Sequence, residues 1–505
     1  MQDRVKRFRA ALGACFLLLF GTACQPDAPD GVAHEVATDA QIERVVVISI
    51  DTLRADHLGV YGYERFTSPT LDGLAAEGVL FEDASATAPW TLPSHASIFT
   101  GSFPKSHGVT SMKKALSEEV PTLTRRLSEN GWRTAAVVNS TWLKRESFGL
   151  TRDFDDYVYV PDLADRQTPT TWVTDQALDW MKASSGEKLF VFAHYYDVHA
   201  DYTSEPAFEE LFVRPYEGFV DGTGWQLLQS NLEDDYLAMC QREGNPEQCT
   251  FGTVEKPWVV DSRARKLRFE ERDVEHLVDL YDAGIRQMDA ELGRLFSEMR
   301  KAGLMDSALI VVTSDHGEEF MEHERLDHFL PTWQELLRVP LILRGPGVPK
   351  GTRVAAPVSS VDIAPTLLAA VGVEAPASME GIDLAGVMRG LDEEVFDSRI
   401  LYGEAAGGLS YDLVARGYFP VFRSVRRGRY KLVHDSKSER HRLFDLARDP
   451  GEQEDVSSAH PELHAELVAE MEARGLLEED GSPSDGGVQL SEEEVERLRA
   501  LGYLK

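Results

Sequence analysis

Short apolar runs rich in β-branched residues recur along the chain, and most of them end abruptly at polar residues. Such unbroken runs are typical of strands that are covered on both faces, as in a parallel sheet. The predicted strands span 45–50, 135–138, 189–193, 309–313 and 339–343. Helical segments separate them, including a long amphipathic stretch over 277–299. This alternation predicts an α/β fold, with a mainly parallel central sheet flanked by helices.

The polar residues that end these runs mark a candidate functional site. In open α/β sheets, ligands bind at the carboxyl ends of the strands. All but the last of the predicted strands end beside side chains suited to bind a metal or an anion, namely Asp51, Asn139, His194, Asp197, Asp315 and His316. We therefore expect these side chains to lie at one edge of the sheet.

The rest of the pattern divides the chain into segments. A polar, strand-poor insertion over 201–265 interrupts the alternation, and loops of this length are usually functional or disordered. A further strand is predicted at 430–434. The resulting segments are a catalytic domain over 43–384, a smaller C-terminal α+β domain over 385–475, and a tail over 476–505 that ends in a capped helix.

The N-terminus predicts export. Basic residues precede an apolar run over 10–20 and small residues at 21–23, which is the pattern of a signal peptide and is too short for a membrane-spanning helix. Cys24 resembles a bacterial lipoprotein cleavage site, although Gly21 stands where such sites usually have leucine. Lipidation and plain secretion both stay open. We predict a signal segment over 1–24, a linker over 25–42, and a periplasmic or outer-membrane lipoprotein location.

The composition narrows the choice of partners. The formal net charge is −33, from 85 acidic and 52 basic residues. Such an excess of acid speaks against nucleic acid and anionic membranes as partners, so we expect membrane contact only through a lipid on Cys24. An anionic substrate is still compatible with this charge, because a metal ion reverses the local field. In the insertion, Cys240 and Cys249 predict a disulfide, with two free thiols or a metal pair as alternatives.

The run over 91–101 carries a candidate nucleophile. It begins as a turn that enters a helix, and Pro93 is tolerated in a first helical turn. A hydroxyl at Thr91 would face the unpaired N–H groups and the positive end of that helix, which suits attack on an anion. Alternatively, Thr91 is only the N-cap of the helix, because threonine is common there.

Carboxylates and imidazoles from distant parts of the chain predict a metal site. The candidate ligands are Asp51, Thr91, Asp315 and His316. Such a set suits a divalent ion, with Zn²⁺ or Mn²⁺ favoured and Ca²⁺ or Mg²⁺ as alternatives, and metal ligation would lower the pKa of the Thr91 hydroxyl. A second site, or a group that binds the leaving group and non-bridging oxygens, could be formed by Asp197, His199, His323 and His328.

These segments together resemble the sulfatase family of the alkaline phosphatase superfamily. The resemblance rests on the first metal-binding strand at 49–58, the nucleophile signature at 91–101, the active-site histidine segment at 194–202, the second metal-binding segment at 313–318, the segment at 322–340, and small-domain segments at 430–432 and 443–450. It implies a large alkaline-phosphatase-like domain with a smaller C-terminal domain, and a metal-dependent ester hydrolase with its nucleophile at position 91.

Four residues depart from the family pattern. Sulfatases have Cys or Ser followed by X-Pro-Ser-Arg and oxidise that Cys or Ser to formylglycine, an aldehyde whose hydrate attacks sulfur. Here Thr91 and His95 replace the nucleophile and the arginine. Threonine carries a methyl group on the same carbon and cannot yield the aldehyde, so no formylglycine is expected. Asn139 and His328 stand about where sulfatases have two lysines, which moves the site from fixed positive charge towards metal ligation.

The nucleophile segment is also similar to that of nucleotide pyrophosphatase/phosphodiesterases, which use threonine and two zinc ions. By that resemblance, the first site would consist of Asp51, Thr91, Asp315 and His316. The second site could consist of Asp197, His199 and His328.

Three functions follow as hypotheses, each with a small anionic ester as ligand: a sulfate or phosphate ester of a glycan, a lipid headgroup or a nucleotide. The first is hydrolysis of a phosphomono- or diester through a covalent Thr91 intermediate, with the further catalytic residues His95, His199, His328 and Asn139. The second is sulfate-ester hydrolysis without formylglycine. The third is an inactive family member that binds an anionic glycan or lipid, although the retained Asp51, Asp315 and His316 argue against it.

Overall fold

The structure is a computed structural model that describes most of the chain. The described residues are 41–111, 114–144, 148–150, 152–160, 169–184, 186–231, 266–328, 331–405 and 421–478. Other expectations fall outside these residues: the signal segment with Cys24, the linker up to residue 40, the Cys240–Cys249 disulfide and the capped terminal helix. Within the described ranges, no helix is long and apolar enough to cross a membrane.

A nine-stranded sheet forms the centre of the described part of the chain. The first eleven strands are β1 (Arg44–Ile50), β2 (Val79–Ser85), β3 (Arg133–Val138), β4 (Asp156–Tyr159), β5 (Leu189–Tyr195), β6 (Ala308–Ser314), β7 (Glu319–Phe320), β8 (Leu326–Asp327), β9 (Arg338–Arg344), β10 (Thr352–Val354) and β11 (Val358–Ser359). β7 and β8 form a separate hairpin, and the other strands follow the order β10-β2-β9-β6-β1-β5-β3-β4, with β11 beside β2. β1 pairs in parallel with β5 and β6, which confirms the predicted mainly parallel α/β sheet.

One of the predicted strands runs against the others. β9, which covers the fifth apolar run, pairs antiparallel with β2 and β6. Its carboxyl end therefore lies at the opposite edge of the sheet from the carboxyl ends of β1, β5 and β6. This direction explains why no cluster of metal-binding or anion-binding side chains follows β9.

Helices cover both faces of the sheet. Their bounds are α1 (Pro69–Ala76), α2 (Thr91–Thr100), α3 (Pro104–His107), α4 (Leu123–Glu129), α5 (Pro169–Ala183), α6 (Pro206–Phe212), α7 (Gly224–Ser230), α8 (Glu271–Lys301), α9 (Gln334–Leu337), α10 (Ile363–Ala370), α11 (Glu393–Ser398) and α12 (Pro461–Ala473). Apolar residues of α8, the predicted amphipathic helix, pack with Val46 and Ile48 of β1. Those of α2 and α10 belong to the cluster that contains Val45 and Val47, on the other face of the same strand.

The described part of the insertion, residues 201–231, holds α6 and α7 and no strand. The residue after α7 anchors the β7–β8 hairpin: Asn231 Oδ1 accepts a hydrogen bond from the N–H of Leu326 at 3.1 Å, and its Nδ2 donates to the Leu326 carbonyl. The insertion is thereby tied to the hairpin that leads into His328.

The C-terminal part is an antiparallel sheet with one helix packed on it. Its strands, in spatial order, are β12 (Ile400–Ala405), β13 (Phe422–Arg427), β14 (Tyr430–Asp435) and β15 (Arg440–Asp445). Leu432 and Leu443 pack against Leu467 and Met471 of α12. This arrangement confirms the predicted smaller α+β part.

Candidate active site

The register of three parallel strands brings the predicted site residues together. Ile50 of β1 pairs with Tyr195 of β5 and with Ser314 of β6. Asp51 therefore leaves the sheet at the same level as Asp315, and its N–H donates to the Tyr195 carbonyl at 2.9 Å. β3 pairs with β5 in the same direction, so Asn139 lies at this edge as well and is partly exposed.

Asp51, Asp315 and His316 form a group that fits a divalent cation. His316 Nε2 lies 3.5 Å from Asp51 Oδ1 and 3.5 Å from Asp315 Oδ2, and all three side chains are fully buried. None of these three atoms has a hydrogen-bond partner among the described residues. Buried polar atoms are seldom left unsatisfied, and carboxylate oxygen with imidazole nitrogen is a ligand set that divalent ions prefer. We call these three residues the metal group.

The backbone fixes the orientation of two members of the metal group. Asp315 Oδ1 accepts hydrogen bonds from the N–H of His316 at 3.0 Å and of Thr52 at 3.3 Å, which leaves Oδ2 for the site. His316 Nδ1 donates to the Gly317 carbonyl at 2.9 Å, which leaves Nε2. Such outer contacts set the tautomer and the aim of a ligand before an ion binds.

The electrostatics of the metal group also favour a cation. Burial would raise the pKa of Asp51, but the surrounding histidines, with His194 foremost, hold it below its ordinary range. Burial and the charge of Asp51 raise the pKa of Asp315 well above its ordinary value. Burial and the neighbouring His328 lower the pKa of His316, so its imidazole is neutral and has a lone pair to offer. A bound cation would relieve the repulsion between the carboxylates.

Thr91 is the first residue of α2, and the N-cap position belongs to Trp90. The alternative that Thr91 is only an N-cap is therefore wrong. Ser94 Oγ donates to the Asp315 carbonyl at 2.6 Å, so the first turn of α2 is fastened to the strand end that carries the metal group. Thr91 is buried, with 2% of its surface exposed. Thr91 is thus a buried residue in the first turn of the helix that Ser94 fastens to Asp315.

His95 supports Thr91 from within α2. Its Nδ1 lies 2.8 Å from the Thr91 carbonyl, which can only accept, so Nδ1 carries the proton and Nε2 accepts from Ser49 Oγ at 2.9 Å. Burial, reinforced by His194, lowers the pKa of His95 to about 3, so the side chain is neutral. The same Nδ1 is 3.5 Å from Asp315 Oδ2. His95 therefore replaces the family arginine without replacing its charge.

His194, which the sequence placed among the candidate site residues but not among the metal ligands, lies beside Asp51. Its Nε2 lies 3.3 Å from Asp51 Oδ2, and its ring centroid is 5.2 Å from that of His95. It is the penultimate residue of β5, beside the strand that ends at Asp51. That position was the available signal, but the residue type alone did not distinguish a ligand neighbour from a buried strand residue.

The structure brings His199 and His328 together but not Asp197. The ring centroids of His199 and His328 are 4.9 Å apart, and His328 is 4.4 Å from His316. Asp197 instead accepts a hydrogen bond from Thr170 of α5, and burial raises its pKa to about 7. The chain turns after β5, where the His199 N–H bonds to the Tyr196 carbonyl, and this turn separates the two neighbours.

His323 lies in a different cluster. Its Nδ1 is 2.6 Å from Glu335 Oε1, and its ring stacks on Trp333 with centroids 4.3 Å apart. Its Nε2 lies 3.3 Å from Gln453 Nε2, which belongs to the C-terminal part. The structure therefore places His323 at a contact with the C-terminal part rather than beside His199.

Two carboxylates that the sequence did not single out flank His328 instead. Glu318 Oε1 lies 3.0 Å from His328 Nδ1, and Asp327 Oδ1 lies 2.8 Å from the same nitrogen. Glu318 stands three residues after Asp315, and Asp327 immediately precedes His328. No hydrophobic periodicity in the sequence marks either position. The β7–β8 hairpin, whose strands have two residues each, brings the two carboxylates to His328.

This fold and this group of residues are those of an ester hydrolase with an alkaline-phosphatase-like core, in which the metal group could hold a divalent ion. The chain belongs to the sulfatase family: the profile named Sulfatase matches residues 43–373, and the profile for the C-terminal part of N-sulphoglucosamine sulphohydrolase matches residues 322–478.

Individual relatives are distant but cover most of the chain. An N-acetylglucosamine-6-O-sulfatase of Bacteroides thetaiotaomicron is 23% identical over 497 residues, which cover 87% of this chain and 88% of the relative. The phosphonate monoester hydrolase of Agrobacterium radiobacter has a similar fold, with a TM-score of 0.67, 18% identity, and coverage of 89% of this chain and 100% of that one. A protein solved with its substrate, D-glucosamine-2-N,6-O-disulfate, gives a TM-score of 0.66 at 19% identity, covering 88% and 100%.

Proposed function

We propose that the protein hydrolyses phosphate-type esters, mono- or diesters, through a covalent intermediate on Thr91. The observation that carries this proposal is the position of Thr91 as the first residue of α2, whose first turn is bonded to the Asp315 carbonyl by Ser94. The Thr91 hydroxyl is on a carbon that also bears a methyl group, so it cannot become the aldehyde that sulfatases use. A phosphorylated threonine needs no aldehyde, because water can attack its phosphorus directly.

The residues of the site divide the reaction between them. Thr91 gives up its hydroxyl proton as its Oγ attacks phosphorus, and the ester oxygen takes a proton and leaves as the alcohol. Water then loses a proton and attacks phosphorus, which restores the hydroxyl and releases phosphate from a monoester or a phosphomonoester from a diester. The unpaired N–H groups and the positive end of α2 stabilise the negative charge that builds up on the phosphoryl oxygens. A divalent ion on the metal group would neutralise charge and favour ionisation of the hydroxyl. We assign the proton for the leaving oxygen to His199 and His328, because their rings lie next to each other and His328 lies beside His316 of the metal group.

One comparison supports phosphorus as the reacting centre. Two proteins of similar fold are phosphonate monoester hydrolases, whose reaction takes place at phosphorus. His95 is neutral, so the fixed positive charge that sulfatases place next to the nucleophile is missing here. The site therefore relies on its carboxylates, its histidines and the ion that they would bind.

The test is a panel of sulfate, phosphomonoester, phosphodiester and phosphonate substrates assayed with several divalent ions. Thr91→Ala should lose activity by a factor of at least about 10³, while Thr91→Ser should keep part of it. Acid-quenched protein should carry a phosphoryl group on residue 91. Thr100→Ser, at the other end of α2, is the matched control and should leave the rate unchanged. Full phosphoesterase activity in Thr91→Ala would reject the proposal.

Sulfate-ester hydrolysis without formylglycine is the second candidate function. The match of the sulfatase profile over most of the chain favours it, as does the N-acetylglucosamine-6-O-sulfatase relative. Sulfate release in the same panel at rates far above phosphate release would establish it in place of the first. If neither ester reacts and the purified protein holds no metal, the protein is an inactive family member that binds an anionic glycan or lipid.

A further inference from the structure

His328 is held by two carboxylates on one edge of its ring. Glu318 Oε1 and Asp327 Oδ1 lie 3.0 Å and 2.8 Å from His328 Nδ1, and Asp327 Oδ1 also accepts the backbone N–H of His328 at 2.8 Å. All three residues are buried. Two carboxylates against one nitrogen fit a proton on Nδ1, which donates to Glu318 Oε1 and lies within ion-pair distance of Asp327 Oδ1.

The other edge of the ring faces the candidate active site. The His328 ring centroid is 4.4 Å from that of His316 in the metal group and 4.9 Å from that of His199. With Nδ1 committed to Glu318 and Asp327, Nε2 is the nitrogen that can reach a substrate oxygen. The orientation of His328 therefore depends on the two carboxylates behind it.

The two carboxylates are themselves held in place. Arg54 Nη1 donates to the Glu318 carbonyl at 2.9 Å, and Asp327 adopts a left-handed backbone conformation with φ of 72°. The residue before Asp327, Leu326, is bound on both its N–H and its carbonyl by Asn231 of the insertion. Backbone in this region costs energy for a non-glycine residue and persists where the surroundings fix it. The contacts of Arg54 and Asn231 thus fix the backbone that carries Glu318 and Asp327.

This cluster differs from the metal group in its distances. In the metal group, His316 Nε2 stands 3.5 Å from each carboxylate oxygen without a hydrogen bond, which leaves space for an ion. In the His328 cluster, the nitrogen and the carboxylate oxygens are at hydrogen-bond distance. The Nδ1 edge of His328 therefore already has Glu318 and Asp327 against it, although the three residues are also a group whose atoms could hold an ion.

We propose that Glu318 and Asp327 are positioning residues for the reaction, and that they act by holding His328 so that Nε2 meets the leaving oxygen of the ester. This rests on the proposed function, because it assigns a task within the Thr91 reaction. His328 needs such positioning because a histidine here stands about where sulfatases have a lysine. A lysine ammonium donates in three directions and needs no fixed ring, whereas an imidazole must be oriented to present one nitrogen.

The test is a double-mutant cycle between residues 318 and 328, measured with one ester that has a good leaving group, 4-nitrophenol, and one that has an alkyl alcohol. Glu318→Ala should lower kcat for the alkyl ester by about 10- to 100-fold with KM little changed, because outer-contact residues of this kind have effects of that size. The loss should be smaller for the nitrophenyl ester, whose leaving oxygen needs no proton. In the His328→Ala background, Glu318→Ala should change kcat less than about twofold.

Conservative variants separate positioning from folding. Glu318→Gln and Asp327→Asn keep an oxygen that accepts from Nδ1–H, so they should retain most of the rate that the alanine variants lose. Glu324→Gln, an exposed carboxylate of the same hairpin, is the matched control and should behave as the unaltered protein. If a variant fails to fold, thermal melts will reveal it, and the glutamine and asparagine variants still carry the comparison.

Three outcomes would overturn the proposal. One is an equal effect of Glu318→Ala in the presence and absence of His328. Another is no dependence on the leaving group. The third is loss of one bound ion per chain in Glu318→Ala by elemental analysis, which would assign a second cation to this cluster. Thr91→Ala is measured in parallel on every ester. Full activity in Thr91→Ala would reject the Thr91 reaction alone, whereas absence of coupling between residues 318 and 328 would reject the positioning role alone.

Discussion

The carbonyl oxygen of Thr91 accepts a hydrogen bond at 2.8 Å from Nδ1 of His95, one helical turn further along α2. The other ring nitrogen of His95 accepts from Ser49 of β1 at 2.9 Å. One neutral side chain thus joins the residue that we propose as nucleophile to the central strand. In sulfatases the corresponding arginine brings a charge, so the exchange alters what this position does as well as which residue occupies it.

Replacing His95 should destabilise the contact between α2 and β1. His95→Ala removes a buried ring and leaves the Thr91 carbonyl and the Ser49 hydroxyl without their partner, so we expect a loss of about 2–4 kcal/mol in the free energy of unfolding. His95→Asn should lose less, because its amide can still donate to the Thr91 carbonyl. Urea unfolding of the three proteins measures both effects. Equal losses for the two variants would show that the hydrogen bond to Thr91 contributes nothing.

Divalent ions should stabilise the fold through the metal group. Metal-stripped protein should melt at a lower temperature, and an ion at about 100 times its Kd should restore about 2.7 kcal/mol. Asp315→Asn should abolish this response, whereas Asp289→Asn, which removes a buried carboxylate elsewhere, should leave it intact. Thermal melts with and without Zn²⁺, Mn²⁺, Ca²⁺ and Mg²⁺ provide the measurement. A metal response in Asp315→Asn as large as in the unaltered protein would contradict the assignment of this ligand.

His107 should make the protein sensitive to acid. Its Nδ1 accepts the N–H of Val109 at 3.1 Å and its Nε2 lies 3.0 Å from Ser97 Oγ, so the buried ring is neutral, and burial lowers its pKa from 6.5 to about 3. Below pH 6.5 the unfolded chain binds a proton at this residue that the folded chain does not. The free energy of unfolding therefore falls as the pH drops from about 6.5 towards 3, by about 2 kcal/mol between pH 7 and pH 5 from this residue alone.

The variant His107→Gln should remove this part of the pH dependence. It will be less stable at neutral pH, but the difference between its unfolding free energies at pH 7 and pH 5 should be about 2 kcal/mol smaller than in the unaltered protein. Urea titrations at the two pH values supply the four numbers. An unchanged difference would mean that His107 accepts a proton within the fold.

A buried ion pair within the C-terminal part contacts the catalytic part through a hydrogen bond to Gln334. Lys431 Nζ of β14 lies 2.8 Å from Glu452 Oε1, and Glu452 Oε2 accepts the N–H of Gln334 at 2.6 Å. Lys431→Met leaves a buried carboxylate unpaired and should lower the free energy of unfolding by about 3–5 kcal/mol. Adding Glu452→Gln should recover part of that loss. Arg427→Met, which breaks an exposed pair with Glu466, is the matched control and should lose less than about 1 kcal/mol.

The sequence predicted the parts of the fold that burial determines. β1, β5 and β6 are covered on both faces, so their sequences are unbroken apolar runs that can be recognised without pairing information. β2 and β4 carry acidic residues within the strand and escaped the prediction. The direction of β9 also escaped it, because an apolar run has no polarity and only its neighbours decide which way it runs.

The site was predictable where a residue directly follows a strand. Asp51 and Asp315 lie at such positions, and the sheet register alone brings them together. Asp197 and His199 follow the same strand, yet a turn sends them to different neighbours, and the spacing of two residues does not reveal that turn. Glu318 depends on a hairpin of two-residue strands, whose geometry is set by contacts far away in sequence.

The bond from Glu452 to the backbone of Gln334 has a consequence for biosynthesis. α9 begins at Gln334, six residues after His328, and its N–H obtains a partner only when residue 452 has been made. The chain must therefore be synthesised through residue 452 before this N–H can acquire its partner in the fold. A chain truncated before residue 452 lacks both this contact and the partner of the buried Lys431 ammonium.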